Sequence, residues 1–412
     1  MDGPEVKANG VNAYSLLRKQ RAGLFLSLHL LMGLAVLAIW ITGSKPLLCK
    51  YQGEWHVPAL HDQARSGTRL AFDLVATADS DYRNLTFDLA VWPLFGRDPH
   101  VLKPEASWLR PLEKDPSGNI YWLGSYELGR DLFAACIYGL RRSALLGLLA
   151  MGIAGVFGGI VGSFAAFQSH RHGRISWMSA AAVGAMLWVV LAEGLHLTQS
   201  KNVSWAGLAR MVAVVLSLAW LAVKTWDRRP KIHFSLDRLS LAYVEIMKSI
   251  PGLLLLLLLV QMVPDAGTVD IALMVAFLYS PVVIKYSRSF ATRRLPEPHI
   301  DALQALGASP ARIYFRHLLP RIWPDLIPVL AFGVAQVVLL EASLSFLGLG
   351  LDLDTVSLGT IMHAARSNPA AWWAIVFPGA LLFWLVYSLN ALGDWFSQSR
   401  SLSHRGGGLK TR

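Results

Sequence analysis

The strongest constraint on this chain is the length of its apolar runs. A helix needs about 20 mostly apolar residues to cross the hydrocarbon core of a bilayer. Runs of that order lie at 22–42, 143–167, 175–197, 205–226, 241–263, 269–284, 327–347 and 371–392. Charged residues make up only 16% of the 412, against about a quarter in a soluble domain, so the chain lacks a water-facing surface of ordinary extent. A net charge of +11 would suggest a nucleic-acid partner in a soluble protein. Here it reads instead as a marker of which segment ends stay inside the cell. Cys49 and Cys136 are the only cysteines, too few for a disulfide framework or a cysteine zinc cage. The expected fold class is an all-α polytopic membrane protein with about eight transmembrane helices.

The distribution of basic residues gives these spans a consistent sidedness. Lys7, Arg18, Lys19 and Arg21 precede the first run. That run is longer than the usual signal-peptide core of about 7–15 residues and no A-x-A site follows it. It is expected to be an uncleaved anchor (22–42) behind a cytoplasmic tail (1–21). The polar stretch 43–142 then lies outside as a long extracytoplasmic loop, large enough for a small folded element. Alternation through the remaining spans places the basic stretches 170–174, 227–231 and 285–323, and the tail 395–412, on the cytoplasmic side. The outer turns 198–204 and 264–268 hold a single basic residue, Lys201. Gly155 with Gly159, and Gly158 with Gly162, set small residues one helical turn apart, a pattern that allows close helix packing in lipid. It suits packing within the chain's own bundle better than a dimer face. Pro251, ahead of leucines 253–259, is expected to kink or cap its helix.

The most informative segment crosses nothing. Between the sixth and seventh spans, residues 293–320 contain a short helix through Asp301, Ala302, Leu303 and Leu306, and then Gly307, placed where a helix end takes a left-handed residue. Ser309 and Pro310 supply an N-cap and a favoured first-turn proline for a second helix. That helix carries Arg312, Ile313, Phe315, Arg316, His317 and Leu318 and is expected to end at Pro320. Two capped helices around a glycine corner offer a shape that a soluble partner can grip.

These residues resemble the EAA loop of ATP-binding-cassette importer permeases, and more narrowly the C-type permease subunit of dipeptide and oligopeptide importers. Other stretches agree in order. Trp122, Leu123, Gly124, Gly129, Arg130 and Asp131, followed by Tyr138, Gly139, Arg141 and Ser143, resemble that family's W-L-G-T-D-x-x-G-R-D…Y-G-x-R-x-S pattern ahead of its second span. Residues 344–350 read L-S-F-L-G-L-G, similar to another family signature, and Phe377, Pro378, Gly379, Asn390, Gly393 and Asp394 fall where its last span has similar residues. Lys45, Pro46, Tyr51, Gly53, Trp55 and Pro58 resemble the branch associated with microcin C and peptide uptake. There are departures. The loop begins Asp301-Ala302-Leu303 instead of Glu-Ala-Ala, the R-D-x-x-D-P ending is replaced by Trp395-Phe396-Ser397-Gln398, and the two spans in 175–226 interrupt a short family turn. Six family spans plus an inserted pair give eight, and an even insertion keeps the sidedness of everything downstream.

The resemblance implies a type I importer permease with its core at 143–394, in the bacterial inner membrane with both termini cytoplasmic. It implies mechanical coupling to two ATP-binding subunits, a second permease and an extracytoplasmic peptide-binding protein, with membrane lipid around the spans and no nucleic acid. The coupling residues it nominates are Asp301, Ala302, Gly307, Ser309, Arg312, Ile313, Arg316, His317 and Pro320. No G-x-x-x-x-G-K-S/T, H-E-x-x-H, C-x-x-C or G-x-S-x-G motif occurs. The chain is therefore expected to be no enzyme and to bind no cofactor or metal itself, with ATP and Mg in the partner. Lys285 and Arg288 are candidate anchors to lipid phosphate or partner carboxylates, or they simply snorkel to the interface. Glu341, costly in lipid, faces either a pathway or a neighbouring helix. Competing readings are a permease for nickel or another small solute, a secondary transporter and a non-transporting membrane scaffold.

Overall fold

In the computed structural model the described residues are 48–51, 54–56, 89–91, 99, 101–170, 217, 236–261, 263, 267–349 and 356–407. The expected spans 22–42, 175–197 and, apart from Ser217, 205–226 lie outside them. Eight helices carry the described fold: α1 Leu132–His170, α2 Leu236–Ser249, α3 Gly252–Gln261, α4 Thr268–Arg294, α5 Pro298–Ala305, α6 Pro310–Phe346, α7 Leu358–Ala364 and α8 Trp373–Gly407. Helices α1, α4, α6 and the 373–398 part of α8 are each long and apolar enough to cross a membrane. The pair α2 and α3 would make a fifth crossing if taken as one broken span. The protein is thus a multi-pass membrane protein.

One expectation needs correction. The fold is not purely helical, because β1 (Leu48–Tyr51), β2 (Glu54–His56) and β3 (Leu89–Val91) form an antiparallel sheet of order β2-β1-β3. Lys50 stands opposite Trp55 on one side and Leu89 on the other. Strands of three or four residues leave no trace in a search for runs of 20. The kink expected at Pro251 is present: the span 241–263 is broken there, with α2 and α3 meeting at 89°. Pro251 causes the break: it cannot continue α2, and its carbonyl accepts the first bond of α3 from Leu255 N–H at 3.2 Å.

The chain divides into two compact units, residues 1–145 with 338–395 and residues 146–337 with 396–412. In the first, Tyr126, Leu132, Cys136, Ile361 and Trp373 pack in one buried cluster. The Trp373 indole N–H donates to the Ser125 carbonyl at 2.9 Å, and the Ser125 hydroxyl donates to the carbonyl of Ala106. Helix α7 starts with a reciprocal cap between Ser357 and Thr360.

The second unit is organised on the glycines of α1. Gly155 and Gly159 face Leu330 and Leu326 of α6, whereas Gly158 and Gly162 face Val283, Ile284 and Ser287 of α4. Two stripes, offset by three residues, thus seat two helices. The Ser287 hydroxyl donates to the Gly158 carbonyl at 2.8 Å, and a Cβ at 158 would press on Val283 and the Ile284 backbone nitrogen. This is the bundle packing that the glycine spacing suggested.

Candidate functional site

The segment between α4 and α6 is built as a small rigid elbow. Glu297 is extended and Pro298 opens α5, so the first helix begins three residues before Asp301. At its other end Ala308 N–H bonds the Leu303 carbonyl and Gly307 N–H bonds that of Gln304, both at 3.0 Å. That pair is the double closure of a Schellman motif. Gly307 has φ +76°, and a Cβ there would meet nothing within 4 Å, so the residue is glycine for its backbone angle and not for space. The Ser309 hydroxyl then accepts from Arg312 N–H at 3.4 Å and Pro310 opens the second helix, the caps expected from the sequence.

Pro320, expected to end that helix, does not. Residues Ile313–Leu318 adopt π-helical bonding, with Leu319 N–H reaching the Tyr314 carbonyl, and the chain runs on as α-helix to Phe346. A proline inside an α-helix lacks a donor and crowds the carbonyl one turn back. A turn widened just before it relieves that crowding.

Among the nominated coupling residues, Asp301, Ala302, Gly307, Ser309, Arg312, Arg316 and Pro320 are exposed, His317 is half-buried and Ile313 is buried. The outermost apolar side chain is Leu306, 84% exposed beside the glycine corner. The underside of the elbow is its root. Tyr314 is fully buried among Phe164, Phe167 and Phe315. Its hydroxyl lies 2.9 Å from the Ser163 hydroxyl and 3.1 Å from the Ile160 carbonyl. The Ser163 proton is taken by the Gly159 carbonyl at 2.6 Å, so Tyr314 is the donor to α1.

Ion pairs hold the other side. The Arg294 guanidinium meets Asp325 at 2.7 Å and Glu297 at 3.3 Å, and Glu297 meets Arg321 at 3.0 Å. Arg321 also donates to His299 Nδ1 at 3.0 Å. Since arginine can only donate, Nδ1 accepts and the imidazole is neutral. Partial burial and then the charge of Arg321 lower the His299 pKa below 6.5, against a smaller opposing pull from Glu297. Depression of a histidine pKa on folding means stabilisation that is complete above the ordinary value and is lost as pH falls through the lowered one. Thermal unfolding in detergent should therefore show wild-type protein losing more stability than His299→Gln between neutral and mildly acidic pH. Equal losses would show that His299 carries no linked proton. Of this network only His317, whose ring centroid is 6.2 Å from that of His299, was nominated from sequence. Glu297-Pro298 could have been read as an N-cap, but Asp325 carried no local signal.

The remaining candidates separate. Arg288 makes a two-pronged pair with Asp237 of α2, the second prong at 2.9 Å. Lys285 is exposed. Glu341 is 6% exposed and accepts from the hydroxyls of Ser143 at 2.8 Å and Ser345 at 3.1 Å, so it ties α1 to α6 in the first unit. In the second unit, α4 and α6 border a cavity of about 760 Å³ with aromatic walls from Tyr279, Tyr286, Phe290 and Phe332 and a charged end at Arg293, Arg294, Glu297 and Asp325.

Residues 231–401 match the family of binding-protein-dependent transport system inner membrane components. The chain is similar to the inner membrane ABC transporter permease protein YejE of Escherichia coli K12, at 24% identity over 385 residues covering 90% of this chain and 91% of that one. It is also similar to the di/tripeptide transport system permease protein of Pseudomonas aeruginosa, at 24% identity over 66% of this chain and 69% of that one. A dipeptide transport system permease protein of Haemophilus influenzae is 29% identical over 39% of this chain and 54% of its own.

Proposed function

We propose that this chain is the transmembrane permease subunit of an ATP-driven importer of dipeptides or oligopeptides. The observation that carries this reading is the 297–320 elbow, rigid through its caps, rooted in α1, α4 and α6, and exposing Leu306, Asp301, Arg312 and Arg316 outward. Its ATPase partner grips that outer face, and closure of the ATPase pair on ATP tilts the elbow and the helices rooted to it. The chain contributes one half of the pathway and a second permease the other, while an extracytoplasmic protein delivers the peptide. The permease core occupies 143–394 in a type I importer arrangement of eight spans, with 175–226 as an inserted pair and both termini cytoplasmic. The chain performs no catalysis and holds no cofactor, ATP and Mg being bound by the partner. The peptide assignment draws on the names of the relatives.

The test is reconstitution of the complete transporter in liposomes with Leu306→Asp or Gly307→Pro. Proline fixes φ near −65° and cannot adopt the +76° of the corner. Both variants should remain in the membrane, lose copurification of the ATPase and take up peptide at least about tenfold more slowly, equivalent to about 1.4 kcal/mol of coupling. Wild-type uptake and ATPase capture by both variants would reject the elbow as the coupling element.

A further inference from the structure

We infer that Arg294, Glu297, Arg321 and Asp325 form a positioning clasp that makes the elbow move as one body with α4 and α6. The inference rests on the coupling role proposed above and assigns that coupling to residues outside the outer face of the elbow. The four charges alternate in sign along one chain of contacts: Asp325 to Arg294 at 2.7 Å, Arg294 to Glu297 at 3.3 Å and Glu297 to Arg321 at 3.0 Å. Arg294 is the last residue of α4, Glu297 is the N-cap of α5, and Arg321 and Asp325 lie one turn apart on α6. The clasp therefore closes the base of the whole elbow.

Its position answers a mechanical weakness. Where the elbow passes into α6, the helix carries the π-helical turn 313–318 and then Pro320, Pro324 and Pro328. Each proline removes a backbone donor at four-residue spacing, along one face of the helix. Force applied at Leu306 would be dissipated as bending in such a stretch. The clasp spans the same stretch, at 321 and 325, and ties it to the unbroken end of α4, giving the force a second path. The central pair is shielded, with the Arg294 and Asp325 side chains 21% and 18% exposed, so it is less screened than a surface pair. Arg294, Glu297 and Asp325 also form the charged end of the cavity between α4 and α6. A shift of the elbow is thus a shift of the cavity floor.

The experiment uses the complete transporter in liposomes and measures peptide uptake per ATP hydrolysed, with subunit copurification alongside. Asp325→Asn and Arg294→Gln should assemble and hydrolyse ATP within about twofold of wild type, while uptake per ATP falls about fivefold or more. The exchanged pair Arg294→Asp with Asp325→Arg should recover at least half of the ratio, a rescue that simple loss of packing does not predict. An unchanged ratio in the single variants overturns the clasp. So does a loss of assembly that accounts for the whole fall in uptake, or a failure of the exchanged pair to recover any of it. Failure of the transport reading looks different: wild-type transporter would then show no peptide-dependent hydrolysis at all.

Discussion

Gly162→Val is expected to be among the most damaging single substitutions in this protein. A Cβ at 162 would overlap the Ser287 hydroxyl and the Ile284 carbonyl oxygen. The second of these is backbone in the middle of α4 and cannot turn aside. Valine adds two further methyl groups in the same direction, so α4 must move off α1. The Ser287 to Gly158 hydrogen bond at 2.8 Å is lost with that movement. Overpacking of this kind costs about 1–3 kcal/mol and sometimes more, and separating two helices places Gly162 at the upper end. Gly152→Val is the matched control, on the same helix with nothing within 4 Å of its Cβ. Unfolding midpoints of the two variants in detergent should differ widely, Gly152→Val lying close to wild type. Similar midpoints would show that α1 and α4 are not packed through Gly162.

Tyr314→Ala is the second large effect. The ring is fully buried and lies 5.0 to 5.5 Å, centroid to centroid, from three phenylalanines, and truncation of a large aromatic side chain in a core costs about 3–5 kcal/mol. The hydroxyl is a separate and smaller contribution. Tyr314→Phe keeps the ring and deletes the donor, leaving the Ile160 carbonyl and the Ser163 oxygen short of one partner, worth about 1 kcal/mol. Because Tyr314 connects the second helix of the elbow to α1, the alanine variant should lose peptide uptake beyond what its remaining folded fraction explains. The phenylalanine variant should keep most of it. An alanine variant as stable as wild type would mean that the elbow is not rooted through Tyr314.

Which parts of this were readable beforehand follows from how far apart the interacting residues lie. The Gly307 corner, the Ser309 cap and the Pro310 start depend on residues within about one helical turn, so their spacing carried the geometry. The glycine stripes showed that α1 would be closely packed. They did not show that one stripe meets α6 and the other α4, which depends on where those helices return. Arg288 was read beside its neighbour Lys285 because both sit on one turn, yet its partner is Asp237, 51 positions away. Asp325, 31 positions from Arg294, was invisible for the same reason. Pro320 misled because a proline rule that holds for an α-helix does not hold where the turn before it is widened.

By itself, then, the sequence determined that the chain lives in a bilayer, roughly where five crossings among the described residues run, and that a capped elbow interrupts them. Those properties come from transfer of apolar side chains out of water and from hydrogen bonds closed within a turn, both of which are local. Only the tertiary structure decided that the elbow grows without a break into α6, that Tyr314 and a chain of ion pairs hold its base, and that Glu341 bonds Ser143 of α1. Those depend on which buried polar group meets which partner across the bundle, and that is settled only when distant segments pack together.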